Sequence, residues 1–138
     1  KEDGKNNLRI YITDLVNNLL IGVKPKIEVE LEIDDVELYI KRTVYIGVVI
    51  NELITNSLKH AFKNQSDRKI QISIKSEKKY YRLTYLDNGP GLPEGIFEKH
   101  GNSTGVQLIQ MFSSQLGGRV MQIQKDEMSG YEIDFPIV

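Results

Sequence analysis

Apolar residues along this chain recur with two periods, and the switches between them mark out its elements. Leu8, Ile12, Leu15, Val16 and Leu19 follow helical spacing, so residues 8–21 form a first helix that stops at Gly22. Beyond Pro25, Ile27, Val29, Leu31 and Ile33 alternate with Glu28, Glu30 and Glu32, the pattern of a strand with one wet face. Asp34-Asp35 turns the chain, and Val36 to Ile40 is a short extended piece. A long helix then runs from about Thr43 to Phe62, followed by a polar loop over 63–69. Ile70, Ile72 and Ile74 make another half-buried strand, which turns at Glu77-Lys78-Lys79 and pairs with Tyr80 to Leu86. Residues 88–104 carry glycines and prolines with little periodicity, as functional or mobile loops do. Val106, Leu108, Ile109, Met111, Phe112 and Leu116 mark a helix closed by Gly117-Gly118. Arg119 to Gln124 and Tyr131 to Val138 form a last hairpin around Lys125-Asp126-Glu127. Helices sharing one side of a mixed, mostly antiparallel sheet give an α+β fold, a two-layer α/β sandwich.

The long helix is the most informative stretch. At about 100° per residue, Val49, Ile50, Leu53, Ile54, Ser57, Leu58 and Ala61 cover one broad half of it. Glu52, Asn56, Lys59 and Lys63 fall within about 60° of one another on the opposite side. Carboxylate, amide and ammonium in that order suit a metal ion and phosphates. They equally suit an ordinary amphipathic helix with a solvated stripe. The segment alone leaves both readings open.

Composition narrows the field. A chain of 138 residues, 40% hydrophobic and 27% charged, fits one globular domain with a real core. A net charge of −1 without a basic block gives no reason to expect nucleic acid. The lack of cysteine excludes a disulfide scaffold or thiolate metal site, and fits a reducing compartment. No signal-peptide pattern or apolar run of membrane-spanning length occurs. Residues 1–7, KEDGKNN, read as a polar boundary segment, and 8–138 as a single domain.

Three motifs decide between the open readings. NELITNSLKHAF resembles the N-box of the ATP-binding domain of sensor histidine kinases. LDNGPGLPEG resembles their first glycine box, and STGVQLIQMFSSQLGG their second. The likeness is greatest to the subgroup with a short lid and no separate phenylalanine box. It lies within the superfamily that includes DNA gyrase, Hsp90 and MutL, and it runs from about Leu8 to the C-terminus. It implies a Bergerat-type fold, Mg²⁺ and ATP as cofactors, and nucleotide held between the long helix and a lid over about 92–104.

The resemblance also distributes roles. Asn56 is expected to ligate Mg²⁺, since a neutral amide oxygen can hold a metal that keeps its waters and spans phosphates. Glu52, one turn earlier, is expected to polarise the attacking group, and Lys59 to approach the phosphates. A salt bridge from Glu52 to Lys59 or Lys63 is the plainer alternative. His60 belongs to the N-box and His100 to the lid, so neither is the phosphoacceptor. Asp87 is expected to accept a hydrogen bond from the adenine amino group, discriminating against guanine. Gly89 and Gly91 would let backbone approach the base. Ser103, Thr104 and Gly105 would face the phosphates at the start of the following helix. Asn102 and Thr104 depart from the subgroup pattern, and Tyr131 stands where a threonine is usual. Tyr80, Tyr81 and Tyr85 read as sheet residues whose alternation needs no ligand.

The implied function is the catalytic half of a two-component sensor histidine kinase. Its acceptor histidine would lie on a separate dimerisation and histidine-phosphotransfer domain of the same parent protein. The receiver domain of a response regulator would take the phosphoryl group onward. Neither nucleic acid nor direct membrane contact is expected, and the location is cytoplasmic whether the parent is soluble or membrane-anchored. The alternatives are an ATPase or anti-sigma-factor-like serine kinase of the same superfamily, and a non-enzymatic interaction domain.

Overall fold

A computed structural model describes residues 4–90 and 104–137. Gly91, His100, Asn102, Ser103 and the lid expected at 92–104, apart from Thr104, lie outside the described residues. The elements run β1 (Lys5–Asn7), α1 (Leu8–Leu20), β2 (Ile27–Ile33), β3 (Glu37–Tyr39), α2 (Ile40–Asn56), a π-helical turn (Ser57–Ala61), β4 (Arg68–Ser76), β5 (Tyr80–Asp87), α3 (Thr104–Gln115), β6 (Arg119–Lys125) and β7 (Met128–Pro136).

Five strands form one sheet in the order β2-β4-β5-β7-β6, while β1 and β3 make a small antiparallel ribbon. Only β2 and β4 run parallel; the other pairs of the large sheet are antiparallel. This is the mixed, mostly antiparallel sheet expected from the sequence. Alternation fixes its faces: Ile70, Ile72, Ile74, Leu83, Tyr85, Ile133 and Phe135 are buried, whereas Glu28, Glu30 and Glu32 are exposed. The helices cover the apolar face. Leu8, Ile12 and Val16 of α1 and Ile46, Val49, Ile50, Leu53 and Ile54 of α2 join the strand residues in one core. Gly47 lets the Tyr11 ring lie against α2, since a Cβ there would sit 2.9 Å from Tyr11 Cε2. Tyr45 of α2 and Phe112 of α3 meet with ring centroids 5.2 Å apart.

Several boundaries differ from the sequence reading for local reasons. Lys5–Asn7, within the segment read as a polar boundary, pairs with Glu37–Tyr39. Asn7 also caps α1 by accepting a hydrogen bond from Ile10 N at 2.9 Å. Strands β4 and β7 begin earlier than their apolar alternation, because backbone pairing carries on into polar residues: Lys69 opposite Glu28, and Ser129 opposite Asp87. The largest difference is in the long helix. It starts at Ile40 rather than Thr43, and its α-helical part ends at Asn56 rather than Phe62. From Ser57 the chain winds as a π-turn, with Phe62 N donating to Ser57 O at 2.9 Å.

Strands β5 and β7 approach so closely that one position must be glycine. Gly130 pairs with Leu86, and a Cβ on it would overlap the Tyr85 carbonyl oxygen. Gly130→Ala is therefore expected to destabilise the domain by about 1–3 kcal/mol, the usual cost of forcing atoms into a packed site. Urea unfolding would check this; an unchanged midpoint would mean that the two strands can part freely.

Candidate functional site

The π-turn exists where the helix meets the glycine turn after β5. A Cβ on Gly89 would lie 2.5 Å from Ala61 Cβ and 2.6 Å from Ala61 O, so only glycine lets the turn lie flat on the helix end. Arg68 closes the helix terminus by donating to Gln65 O at 2.7 Å and to Phe62 O at 3.1 Å. Asn88 fastens the neighbouring loop: its Oδ1 accepts from Lys69 N at 2.8 Å, and its amide donates to Asp67 O at 3.0 Å. Gln65 donates to Asn88 Oδ1 at 3.1 Å.

These contacts bring the end of β5 beside the end of α2, and a narrow pocket opens between them. Leu53, Asn56, Ser57 and Ala61 line one side, and Asp87, Ser129 and Tyr131 the other. Asp87 is only 6% exposed, and burial of a carboxylate demands donors. Ser57 donates to Asp87 Oδ2 at 2.6 Å, and Gly89 N donates to Oδ1 at 3.0 Å. The Ser57 and Tyr85 hydroxyls are 2.6 Å apart. Burial pushes the Asp87 carboxyl above the ordinary carboxylate value, although both hydrogen bonds pull it back down. Burial also raises the phenol of Tyr131, with the nearby Asp87 charge adding to the effect.

Two further pocket groups stand out. Asn56 Nδ2 and Ser129 Oγ are buried with no hydrogen-bond partner in the protein. A buried unpartnered amide costs about 1–3 kcal/mol, so a side chain held this way at a pocket wall fits a ligand-binding role. Asn56 Nδ2 can only donate, as to a phosphate or water oxygen. The amide oxygen of the same side chain is of the kind that holds Mg²⁺, which takes one or two protein oxygens and leaves the rest to water and phosphate. Among the described residues no group of three or more His, Cys, Asp or Glu side chains could hold a metal alone.

The structure thus brings together Asn56 and Asp87, with Gly89 packed behind them on Ala61. Glu52 is half-buried one turn before Asn56 and does not line the pocket. No salt bridge among the described residues joins it to Lys59 or Lys63. Lys59 and His60 are exposed on the π-turn, outside the pocket lining. From Ser57 onward the wider π-turn changes the angular step that a helical wheel assumes, so Lys59 and His60 follow a different winding from Glu52 and Asn56. Thr104 and Gly105 form the first turn of α3.

Sequence reasoning missed three participants. Ser57 was visible as a small polar residue on an apolar helix face. Ser129 could have been found from the antiparallel register that sets it opposite Asp87. Tyr85, read as a plain sheet residue, is fully buried and carries its hydroxyl to Ser57.

Comparison with known proteins gives the family and the fold. Residues 43–136 match the family described as histidine kinase-, DNA gyrase B- and HSP90-like ATPase. The chain belongs to that family, an ATP-binding one. It is 26% identical over 113 residues to blue-light-activated histidine kinase 2 of Erythrobacter litoralis, covering 80% of this chain and 32% of that protein. The sensor protein LytS of Streptococcus agalactiae is 38% identical over 53 residues, 38% of this chain and 9% of LytS. The chain thus spans a third or less of the curated relatives it matches. Among solved structures, the histidine kinase domain of an E. litoralis blue-light activated kinase superposes with a TM-score of 0.81 at 23% identity, covering 99% of this chain and 64% of that one. The catalytic domain of histidine kinase ThkA gives 0.76 at 20% identity, with 99% and 96% covered. The fold is that of histidine kinase catalytic domains.

The raised Asp87 carboxyl has a consequence for stability. Its folded value lies above the ordinary 3.8, so the folded state holds the proton more tightly than the unfolded chain does. Its contribution is then full below about pH 4 and is lost as pH rises through the folded value. The stability of the wild type relative to Asp87→Asn should accordingly decline with rising pH from about 4 and then level off. Paired urea titrations would reveal it; a difference independent of pH would contradict the shift.

Proposed function

We propose that this chain is the ATP-binding catalytic domain of a sensor histidine kinase. It positions Mg·ATP for transfer of the γ-phosphoryl group to a histidine on a dimerisation domain of the parent protein. A response regulator receiver domain is the onward acceptor. The observation that carries this reading is one pocket walled by a buried carboxylate, Asp87, and by an amide with an unpartnered Nδ2, Asn56. Family membership supports nucleotide binding, and likeness to histidine kinase domains supports the choice of acceptor.

In this reading Asp87 receives the adenine amino group, and Tyr131 and Leu53 bound the base. Asn56 would hold Mg²⁺ through its amide oxygen. The ion would supply charge neutralisation to the phosphates. Gly89 and Gly91 are assigned to the base, and Ser103, Thr104 and Gly105 to the phosphates, with Thr104 and Gly105 opening α3, where helix-terminal amides favour anions. Glu52 is assigned to the incoming histidine, and Lys59 and His60, exposed on the π-turn, to the nucleotide, with Lys59 approaching its phosphates. Most of the acceleration would come from proximity and charge stabilisation. Among the described residues no helix is long and apolar enough to cross a membrane, and a cytoplasmic location is part of the proposal.

Asn56→Ala should leave the domain folded and remove the Mg²⁺ dependence of ATP binding. Calorimetry with Mg²⁺ and with EDTA would show this, and an unaltered dependence would refute the metal assignment.

The chain alone should bind ATP without labelling itself from γ-labelled ATP. Adding the parent's helical domain should produce acid-labile, base-stable phosphate. Glu52→Gln should then slow transfer by about a hundredfold or more while changing ATP binding less than threefold. Brisk ATP hydrolysis without an acceptor, abolished by Glu52→Gln, would replace the kinase reading with that of an ATPase.

A further inference from the structure

Asp87 does not stand alone, and what stands behind it has a direction. Ser57 Oγ has a single proton but two oxygen neighbours at 2.6 Å, Asp87 Oδ2 and the Tyr85 hydroxyl. An ionised carboxylate only accepts. The Ser57 proton therefore goes to Asp87, and the Tyr85 hydroxyl donates to Ser57. The chain Tyr85 O–H to Ser57 O–H to Asp87 has one polarity. Reversing it would leave the Tyr85 proton to find another acceptor in the core, where the residue is fully buried. On the far side, Gly89 N donates to Asp87 Oδ1 at 3.0 Å, so each carboxylate oxygen is pinned by its own donor and the group cannot swing.

We propose that Ser57, backed by Tyr85, is a specificity-determining positioning residue. The one-way hydrogen-bond chain keeps Asp87 an acceptor fixed in orientation, so that the pocket takes a purine bearing an exocyclic amine and rejects one bearing a carbonyl. The inference rests on Asp87 facing the base, as in the function proposed above. It adds that selectivity is set from behind the carboxylate, by a serine that does not itself have to touch nucleotide. Removing the serine hydroxyl frees one oxygen to turn and lets a proton occupy it. A carboxyl that can donate no longer rejects a carbonyl.

The test is competition of ATP and of GTP against a fluorescent nucleotide on the intact chain, for wild type, Ser57→Ala, Ser57→Thr, Tyr85→Phe and Asp87→Asn, with thermal melts alongside. Ser57→Ala should weaken ATP about tenfold and GTP less than threefold, narrowing the selectivity ratio. Ser57→Thr, which returns a hydroxyl to the same place, should restore the ratio. Tyr85→Phe, which leaves the serine but removes its donor, should narrow the ratio by about threefold. A role in folding alone would lower both affinities by one factor and leave the ratio unmoved. That result in Ser57→Ala, with Asp87→Asn still abolishing ATP binding, would overturn this inference and leave the nucleotide pocket standing. If melts show Ser57→Ala unfolded, an unchanged ratio in Tyr85→Phe overturns it instead. Failure of the wild type to bind ATP at all would overturn the pocket and the inference together.

Discussion

The burial of one carboxylate organises this domain. Asp87 ends a central strand beneath a helix, where a charge cannot rest without donors. The surrounding backbone is arranged to provide them. The π-turn begins at Ser57, which puts a hydroxyl over one carboxylate oxygen. The glycine turn folds back so that Gly89 N reaches the other, and Ala61 and Gly89 are small enough to allow it. The lack of a side chain on Gly130 lets β7 lie close against Tyr85, and the register sets Ser129 opposite the acid and Tyr131 opposite Tyr85. Each of these features would be gratuitous in a protein that needed only a core.

Much of this was legible in the chain. The alternation in Ile27–Ile33 and Ile70–Ile74 defines strand faces without knowledge of their neighbours, because one wet and one dry side are a local property. Asn56 and Asp87 were identifiable through motif likeness, and they do share a pocket. Lys59 lies beyond the change from α- to π-winding at Ser57, where the constant step of a helical wheel no longer applies. The turn that begins there packs Ala61 against Gly89, a distant contact that no local pattern contains. Tyr85 is the sheet residue that its alternation predicts, with one addition. Its position in a strand is local, but its hydroxyl partner lies on another element.

Asn88 shows the same division. In the sequence it is the middle of a turn signal, Asp-Asn-Gly. In the fold its side chain binds Lys69 N and Asp67 O and receives Gln65. The residue beside Asp87 is thus a fastener between the loop after the helix and the strand pair.

That fastening constrains a stretch with no chemistry of its own. The segment from Lys63 to Asp67 joins the end of the π-turn to β4, and it is clipped to the glycine turn at Gln65 and Asp67. Adding or deleting a residue there would shift Asn88 off its partners and tilt the adjoining acid with it. The number of residues in an unremarkable polar loop is therefore as much a part of the binding site as the identity of the residues that line it.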